Sequence, residues 1–352
     1  MGKEEMLAAL SLEMPERVPR TEYSAESHWE LVEKVTGIPV NAASTLEEQQ
    51  KARSAFVRDW DYAFWWNILT HTNALGDQVT KMGHAIYASG GVDYSEEIVE
   101  LFGDPEEVYS YDFTEKLGIR ERSSLIRDYN ENLHYNEALY PSALNMTGIY
   151  ITLMSGLIEM LGWNTLLTAA GIDRKAFGDF TNRYADWIMQ YFEALAASES
   201  DVVMIHDDIV WTSGAFLHPD FYRTYIFPNY RRLFRPLHEA GKKILYTSDG
   251  NFTEFIDDIA SCGVSGFVME PCTDMAYIAE KYGKSHVFVG NADTRILLSG
   301  SWEDIENEVR RCMAIGKSCP GFIMAVGNHI PANTPVENAL WYDECVRKYG
   351  RR

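Results

Sequence analysis

Four short stretches hold residues able to do chemistry together: His206-Asp207-Asp208, Ser248-Asp249-Gly250, Glu270-Pro271-Cys272 and Gly327-Asn328-His329. Each follows or ends a short apolar run: DVVMI at 201–205, KILY at 243–246, GFVM at 266–269 and GFIMAV at 321–326. Carboxylates and imidazoles move protons or hold cations near neutral pH. Asp249 reads either as a working carboxylate or as the side chain of an Asx turn capping the next helix. His206 and Asp208 share a period-two face, so Asp208 rather than Asp207 is expected to point into a site with the imidazole. Glu270 is either a site carboxylate or one half of a rim ion pair. Cys272 is either a soft ligand or a buried thiol. His329 is either a loop histidine held by hydrogen bonds, or a group that passes a proton or binds a metal. Together His329, Asp249 and Glu270 make a donor set adequate for zinc with an open position.

These groups need a frame that brings them to one place. Apolar runs alternate with helix-period segments at 219–240, 252–261, 275–282, 302–315 and 335–349. A further strand, HVFV at 286–289, ends in Gly290-Asn291-Ala292-Asp293. Strands too apolar to be half exposed, each followed by a helix, predict a parallel sheet covered by helices. Every strand ends in polar residues. The expected fold is therefore α/β, a (β/α)8 TIM barrel whose site lies at the C-terminal ends of its strands. A doubly wound sheet is the rival, but neither GxGxxG nor GxxxxGK[ST] occurs.

In the first half, strands are expected at 18–22 (VPRTE), 61–66 (DYAFWW) and within 138–145, with a helix over 147–162. N-terminal helices precede the barrel. The stretch 72–137, with turns at Ser89-Gly90-Gly91 and Gly103-Asp104-Pro105, reads as an insertion over the barrel mouth. Glu22, His28, Trp66, Asn67, Thr247, Asn291 and Asn328 are the expected substrate-binding residues. A carboxylate and an aromatic wall suit a small, partly apolar substrate. Adjacent Trp65 and Trp66 must face opposite ways. Arg295 is expected to pair with Asp293. His71, His84, His134, His218, His238 and His286 lack partner spacing and read as structural or exposed.

The 352 residues fit one barrel domain over 1–352, and no low-complexity linker divides them. A net charge of −21 works against nucleic acid and anionic membranes as partners. The five cysteines form no CxxC pair, which fits reduced thiols of a cytoplasmic protein. Residues 1–20 hold no apolar core for a signal peptide. The most apolar stretch, 149–161, is too short and polar to span a bilayer.

Five motifs, taken in this order and spacing, resemble the uroporphyrinogen decarboxylase superfamily. They are His206-Asp207-Asp208, Ser248-Asp249-Gly250-Asn251, Gly290-Asn291-Ala292-Asp293-Thr294-Arg295, Gly327-Asn328-His329-Ile330-Pro331 and Asn333-Thr334-Pro335. The resemblance begins at Pro15-Glu16-Arg17-Val18-Pro19 and runs nearly the length of the chain. True decarboxylases of this kind carry an N-terminal arginine-rich segment of the type RPxWxMRQAGRY. The matching region keeps Arg17 and Arg20, lacks the arginine pair, and places Glu22 and Glu26 instead. That is a poor anchor for an octacarboxylate.

The second branch resembles methylcobamide-dependent methyltransferases. Its thiol-methylating members bind zinc through a HxC pair and a later Cys. The matching positions are Thr247, Asp249 and Asn328. The resemblance thus implies a divergent, corrinoid-linked methyltransferase. It would take a methyl group from a small methylated ether or amine to a corrinoid carried by a partner protein, with zinc as a candidate second cofactor and a homodimer as the assembly to expect. Asp249, Glu270, His206, Asp208 and His329 would supply the acid. The alternatives are decarboxylation of a tetrapyrrole or smaller acid, and a non-catalytic corrinoid- or ligand-binding barrel.

Overall fold

The computed structural model describes residues 2–80, 85–88, 91–94, 99 and 101–352. His84, Ser89 and Gly90 lie outside the described residues.

The parallel strands expected from the apolar runs form and pair in chain order. β1 (Phe64–Trp65) pairs with β2 (Leu144–Asn145). Next comes a six-stranded parallel sheet of β3 (Thr147–Ile149), β4 (Val202–His206), β5 (Lys243–Ser248), β6 (Gly266–Met269), β7 (Val287–Ala292) and β8 (Phe322–Val326). Arg20 closes the ring through parallel bridges to Tyr62 on one side and Met324 on the other. The Thr21 amide donates to Met324 O at 3.0 Å, and the Ala63 amide donates to Arg20 O at 2.6 Å. Pro19 has no N–H to give a ladder, and its carbonyl accepts from Met324. The first barrel position is therefore a set of bridges rather than a regular strand. β2 and β3 together make the third position, interrupted at Met146.

Side-chain alternation builds two apolar layers. Val202 and Met204, Leu245, Val268, Val287 and Val289, and Ile323 and Ala325 face inward with Phe64, Leu144 and Met146. Helix α1 (Gly2–Leu10) closes this interior with Met6, Ala9 and Leu10. Gly2 sits so close that a Cβ there would lie 2.5 Å from Tyr62 O. The alternate residues, among them Val203, Ile205, Ile244, Tyr246, Phe267 and Phe288, pack outward under the helices. Each fully buried large apolar side chain contributes about 1.5–3 kcal/mol.

Around the sheet run α2 (Trp29–Thr36), α3 (Leu46–Asp59), α4 (Arg122–Leu139), α5 (Leu153–Ile172), α6 (Arg174–Ala197), α7 (Phe227–Glu239), α8 (Met275–Tyr282), α9 (Trp302–Gly316) and α10 (Val336–Tyr349). Two expectations need correction. The third strand continues to Ile149 and its helix starts only at Leu153. The residues from Arg122 onward are a helix that packs on α6 and both halves of the third barrel position, so 122–139 belongs to the barrel wall rather than to an insertion. The expected helix over 219–240 contains a π-turn at Tyr222–Ile226, just before Pro228, which has no N–H to continue the α ladder. No helix among the described residues is long and apolar enough to cross a membrane.

Candidate active site

The ends of β4 and β5 bring three functional side chains together. Counting inward from Met204 puts His206 and Asp208 on the interior face, and counting from Leu245 does the same for Thr247 and Asp249. His206, Asp208 and Asp249 each present a ligand-type atom, and these lie within 4.8 Å of one another. His206 Nε2 stands 3.5 Å from Asp208 Oδ1. The same oxygen accepts the Asp249 amide at 2.9 Å. The His206 ring stacks on Tyr150 at 4.1 Å, and Tyr150 stacks on His71 at 4.3 Å. That ring pile fixes the plane of the imidazole. Thr247 is Cα partner to His206 across the ladder and is 7% exposed. Its hydroxyl has no hydrogen-bond partner among the described residues.

Asp207 points the other way, as the period-two reading required. Its Oδ1 accepts the Ser155 amide at 2.7 Å, and its Oδ2 accepts the Tyr230 hydroxyl at 2.5 Å. The Asp208 amide in turn donates to Ser155 Oγ at 2.7 Å. The end of β4 is thereby locked to the start of α5.

Glu270 ties three strand ends together. It accepts the Gly250 amide at 2.7 Å and Asn328 Nδ2 at 2.6 Å. Gly250 has φ +82°, and a Cβ there would lie 2.8 Å from the Trp211 backbone, so the turn carrying Asp249 demands glycine. Asn328 Oδ1 accepts the His329 amide at 2.8 Å, and His329 Nδ1 bonds Ser24 Oγ. Glu270 and Asn328 therefore hold the rim in shape. The trio His329, Asp249 and Glu270 is not the set that the fold gathers; His206 and Asp208 join Asp249 instead. Burial, and then Glu270, push the Cys272 thiol up to about 11, so it is a thiol rather than a thiolate at neutral pH.

Trp66 faces the interior and stacks on Tyr23 with ring centroids 4.5 Å apart. Trp65 faces out, against Tyr140 at 4.0 Å. Burial, with Glu22 and Asp249 adding to it, holds the Tyr23 phenol well above its usual range, which keeps it a neutral donor. Tyr23, Ser24 and Tyr150 were missed from the sequence, and His71, read there as structural or exposed, is an exposed ring stacked on Tyr150. The signal for Tyr23 was its place one residue beyond the first predicted strand.

Four expected substrate-binding residues are placed elsewhere. Glu22 is buried against Arg20 at 2.9 Å and accepts the Val326 amide at 3.0 Å, facing the α10 side. His28 caps α2, accepting the Leu31 amide at 3.3 Å, while its Nε2 bonds Thr334 O at 2.7 Å. Asn67 donates to Asn132 on α4. The Asn291 amide donates to Glu270 O and Thr273 O and accepts from Arg311 at 3.0 Å, toward α9. In each case a buried or half-buried polar side chain has taken a backbone or side-chain partner elsewhere in the fold. Arg295 forks onto Asp293 as expected.

His329 is not a cationic proton donor at neutral pH. Burial, and next the neighbouring His206, push its imidazole down to about 4. The folded state thus refuses a proton that the unfolded chain accepts near 6.5, so this group costs stability as pH falls through that window. Relative to His329→Gln, the wild type should lose stability between about pH 6.5 and 4, with a slope no steeper than about 1.4 kcal/mol per pH unit. Urea melts across that range check it; parallel curves for the two proteins would refute it.

A family model for uroporphyrinogen decarboxylase (URO-D) matches residues 146–349, which carry β3 to α10 and most of the mouth. The chain is 27% identical over 163 residues to a uroporphyrinogen decarboxylase of Pelobacter propionicus, covering 46% of each protein. It is 27% identical over 174 residues to that of Syntrophotalea carbinolica, covering 49% of each. The matches thus span about half the length of these curated relatives. Over 99% of this chain and 98% of the other, the fold superposes on a solved methyltransferase from Methanosarcina mazei with TM-score 0.64 at 17% identity. That likeness is one of fold. On the family match and the barrel built above, the chain belongs to the uroporphyrinogen decarboxylase (URO-D) family.

Proposed function

We propose that this chain is a corrinoid-linked methyltransferase that moves a methyl group between a small methylated ether or amine and a corrinoid held by a partner protein. The observation that carries the reading is the gathering of His206, Asp208 and Asp249 within 4.8 Å at the strand ends, with the Tyr23–Trp66 wall on the same interior face. The corrinoid supplies the cobalt that exchanges the methyl group. The protein's part is to bind, orient and protonate. An ether gives up its methyl as an alcohol only when a proton reaches its oxygen. Asp249, the exposed member of the cluster, and Tyr23, a neutral phenol in its field, are the groups that would bring that proton. Tyr23 and Trp66 offer flat apolar surface to a methyl-bearing carbon. A zinc held through a HxC pair and a later Cys does not fit, because Thr247, Asp249 and Asn328 offer no sulfur and Asn328 is bound to Glu270.

The test is to incubate the purified protein with cob(I)alamin and a panel of methyl ethers and methylamines, following methylcobalamin by absorbance. Methylcobalamin should form with one donor class, and Asp249→Ala should slow it about 100-fold while the circular dichroism is unchanged. No methylcobalamin with any donor, but release of carbon dioxide from uroporphyrinogen, would replace this reading with decarboxylation.

A further inference from the structure

We infer that Glu270 is a positioning residue: its carboxylate fixes the turn that presents Asp249 and takes no part in proton transfer itself. The inference rests on the methyltransferase reading for the role of Asp249.

The turn after β5 is held by its backbone. Four consecutive amides donate to acceptors that follow the two neighbouring strands, β4 and β6. The Asp249 amide donates to Asp208 Oδ1 at 2.9 Å and the Gly250 amide to Glu270 Oε2 at 2.7 Å. The Asn251 amide donates to Trp211 O at 3.0 Å and the Phe252 amide to Thr273 Oγ1 at 3.1 Å. The Thr273 hydroxyl donates back to Gly250 O at 2.9 Å. A turn whose amides are taken in this way cannot tilt a peptide plane without breaking a bond.

Glu270 carries this hold across the sheet. Its Oε1 accepts Asn328 Nδ2 at 2.6 Å, beyond the end of β8, and Asn328 Oδ1 accepts the His329 amide at 2.8 Å. One carboxylate thus sets the Asp249 turn and the His329 turn relative to each other. Cys272 Sγ lies 3.9 Å from the same oxygen that holds Gly250. These three neighbours are all donors, so a proton on Glu270 would set an O–H against an N–H. A carboxylate with both oxygens accepting is a strut rather than an acid. Its loss would let Asp249 drift from the Tyr23–Trp66 wall, and a displacement of about 1 Å is enough to cost about 100-fold in rate.

An exchange of partners tests this, with methylcobalamin formation by the wild type established first. Glu270→Gln offers one oxygen where two donors need acceptors. Its kcat should fall about 10- to 100-fold while KM stays within about threefold, since Glu270 acts through the turn and not on substrate. Asn328→Asp sets a second carboxylate against Glu270 and should lose as much. Combined, the two changes restore the pattern. The new amide oxygen accepts from Gly250, and the new amide nitrogen donates to the carboxylate now at position 328, which still accepts the His329 amide. The double variant should return to within about threefold of the wild type. A Glu270→Gln enzyme with wild-type kcat would overturn the inference. So would a double variant no faster than Glu270→Gln, the result expected of an acid or a substrate ligand. If the wild type takes a methyl group from no donor, the methyltransferase reading fails by itself, and crystal structures of the same variants still decide the inference. The turn at 249–251 should be displaced in each single variant and return in the double one; an undisplaced turn in Glu270→Gln would count decisively against the strut.

Discussion

Replacing Arg20 with alanine should destabilise the folded chain by about 3–5 kcal/mol, because it strands a buried carboxylate. The Arg20 side chain is 5% exposed and lies between the rings of Trp60 and Tyr342, 4.9 and 5.5 Å from their centroids. Its guanidinium bonds Glu22 at 2.9 Å and also reaches Asp343. The two acids do not depend on it equally. Asp343 keeps a second partner in Arg347 at 2.9 Å, whereas the Glu22 side chain is 0% exposed and would be left with the Val326 amide. The loss therefore comes mainly from Glu22. Arg20→Met with Glu22→Gln should recover most of it, since the apolar stem refills the space and the amide oxygen still accepts from Val326. Urea unfolding of the single and double variants decides the point. Equal losses in the two would show that the Arg20 stem and ring contacts, rather than the stranded charge, hold this joint.

That joint explains why the first half of the barrel was harder to read than the second. β4 to β8 announce themselves as apolar runs with polar ends, because they are buried on both faces. The first position is closed by bridges around Arg20, beside a proline, and its apolar signal is only Val18. The third is broken at Met146 into two short pairs, so neither half has the length of a strand signal. Within the site, period-two counting separated Asp208 from Asp207 correctly, because β4 is regular up to His206. It could not place Asn291, which leaves the interior face and turns to Arg311, or Glu22 and His28, whose partners Arg20 and Thr334 are chosen by packing between distant segments. Tyr150 was invisible for the same reason. Nothing local says that Tyr150 will lie on a histidine that follows it by more than fifty residues.

Asp207 makes the deepest link between fold and site, and Asp207→Ala should cost about 3–5 kcal/mol, the sum of several buried donors left without an acceptor. α5 starts at Leu153 after Thr152, whose own side chain makes no cap bond. Asp207 caps the helix from another strand, accepting from the Ser155 and Met154 amides. It holds α7 through Tyr230 at 2.5 Å as well. Asp207→Asn keeps one acceptor and should cost about 1–2 kcal/mol. The same variant has a signature in pH. Burial pushes the Asp207 carboxyl up to about 7, against the pull of Tyr230 and the two amides. The folded state therefore keeps a proton that the unfolded chain releases near 3.8, and this contribution is lost as pH rises toward 7. His329 acts in the opposite sense over an overlapping window, since its folded form stays neutral down to about 4. The two slopes partly cancel in the wild type. Asp207→Asn should leave a stability that climbs from pH 4 to 6.5, and His329→Gln one that declines from pH 4 to 7. Unfolding curves of the three proteins at several pH values test this directly. Slopes of the same sign in both variants would mean that one of the two protons sits elsewhere.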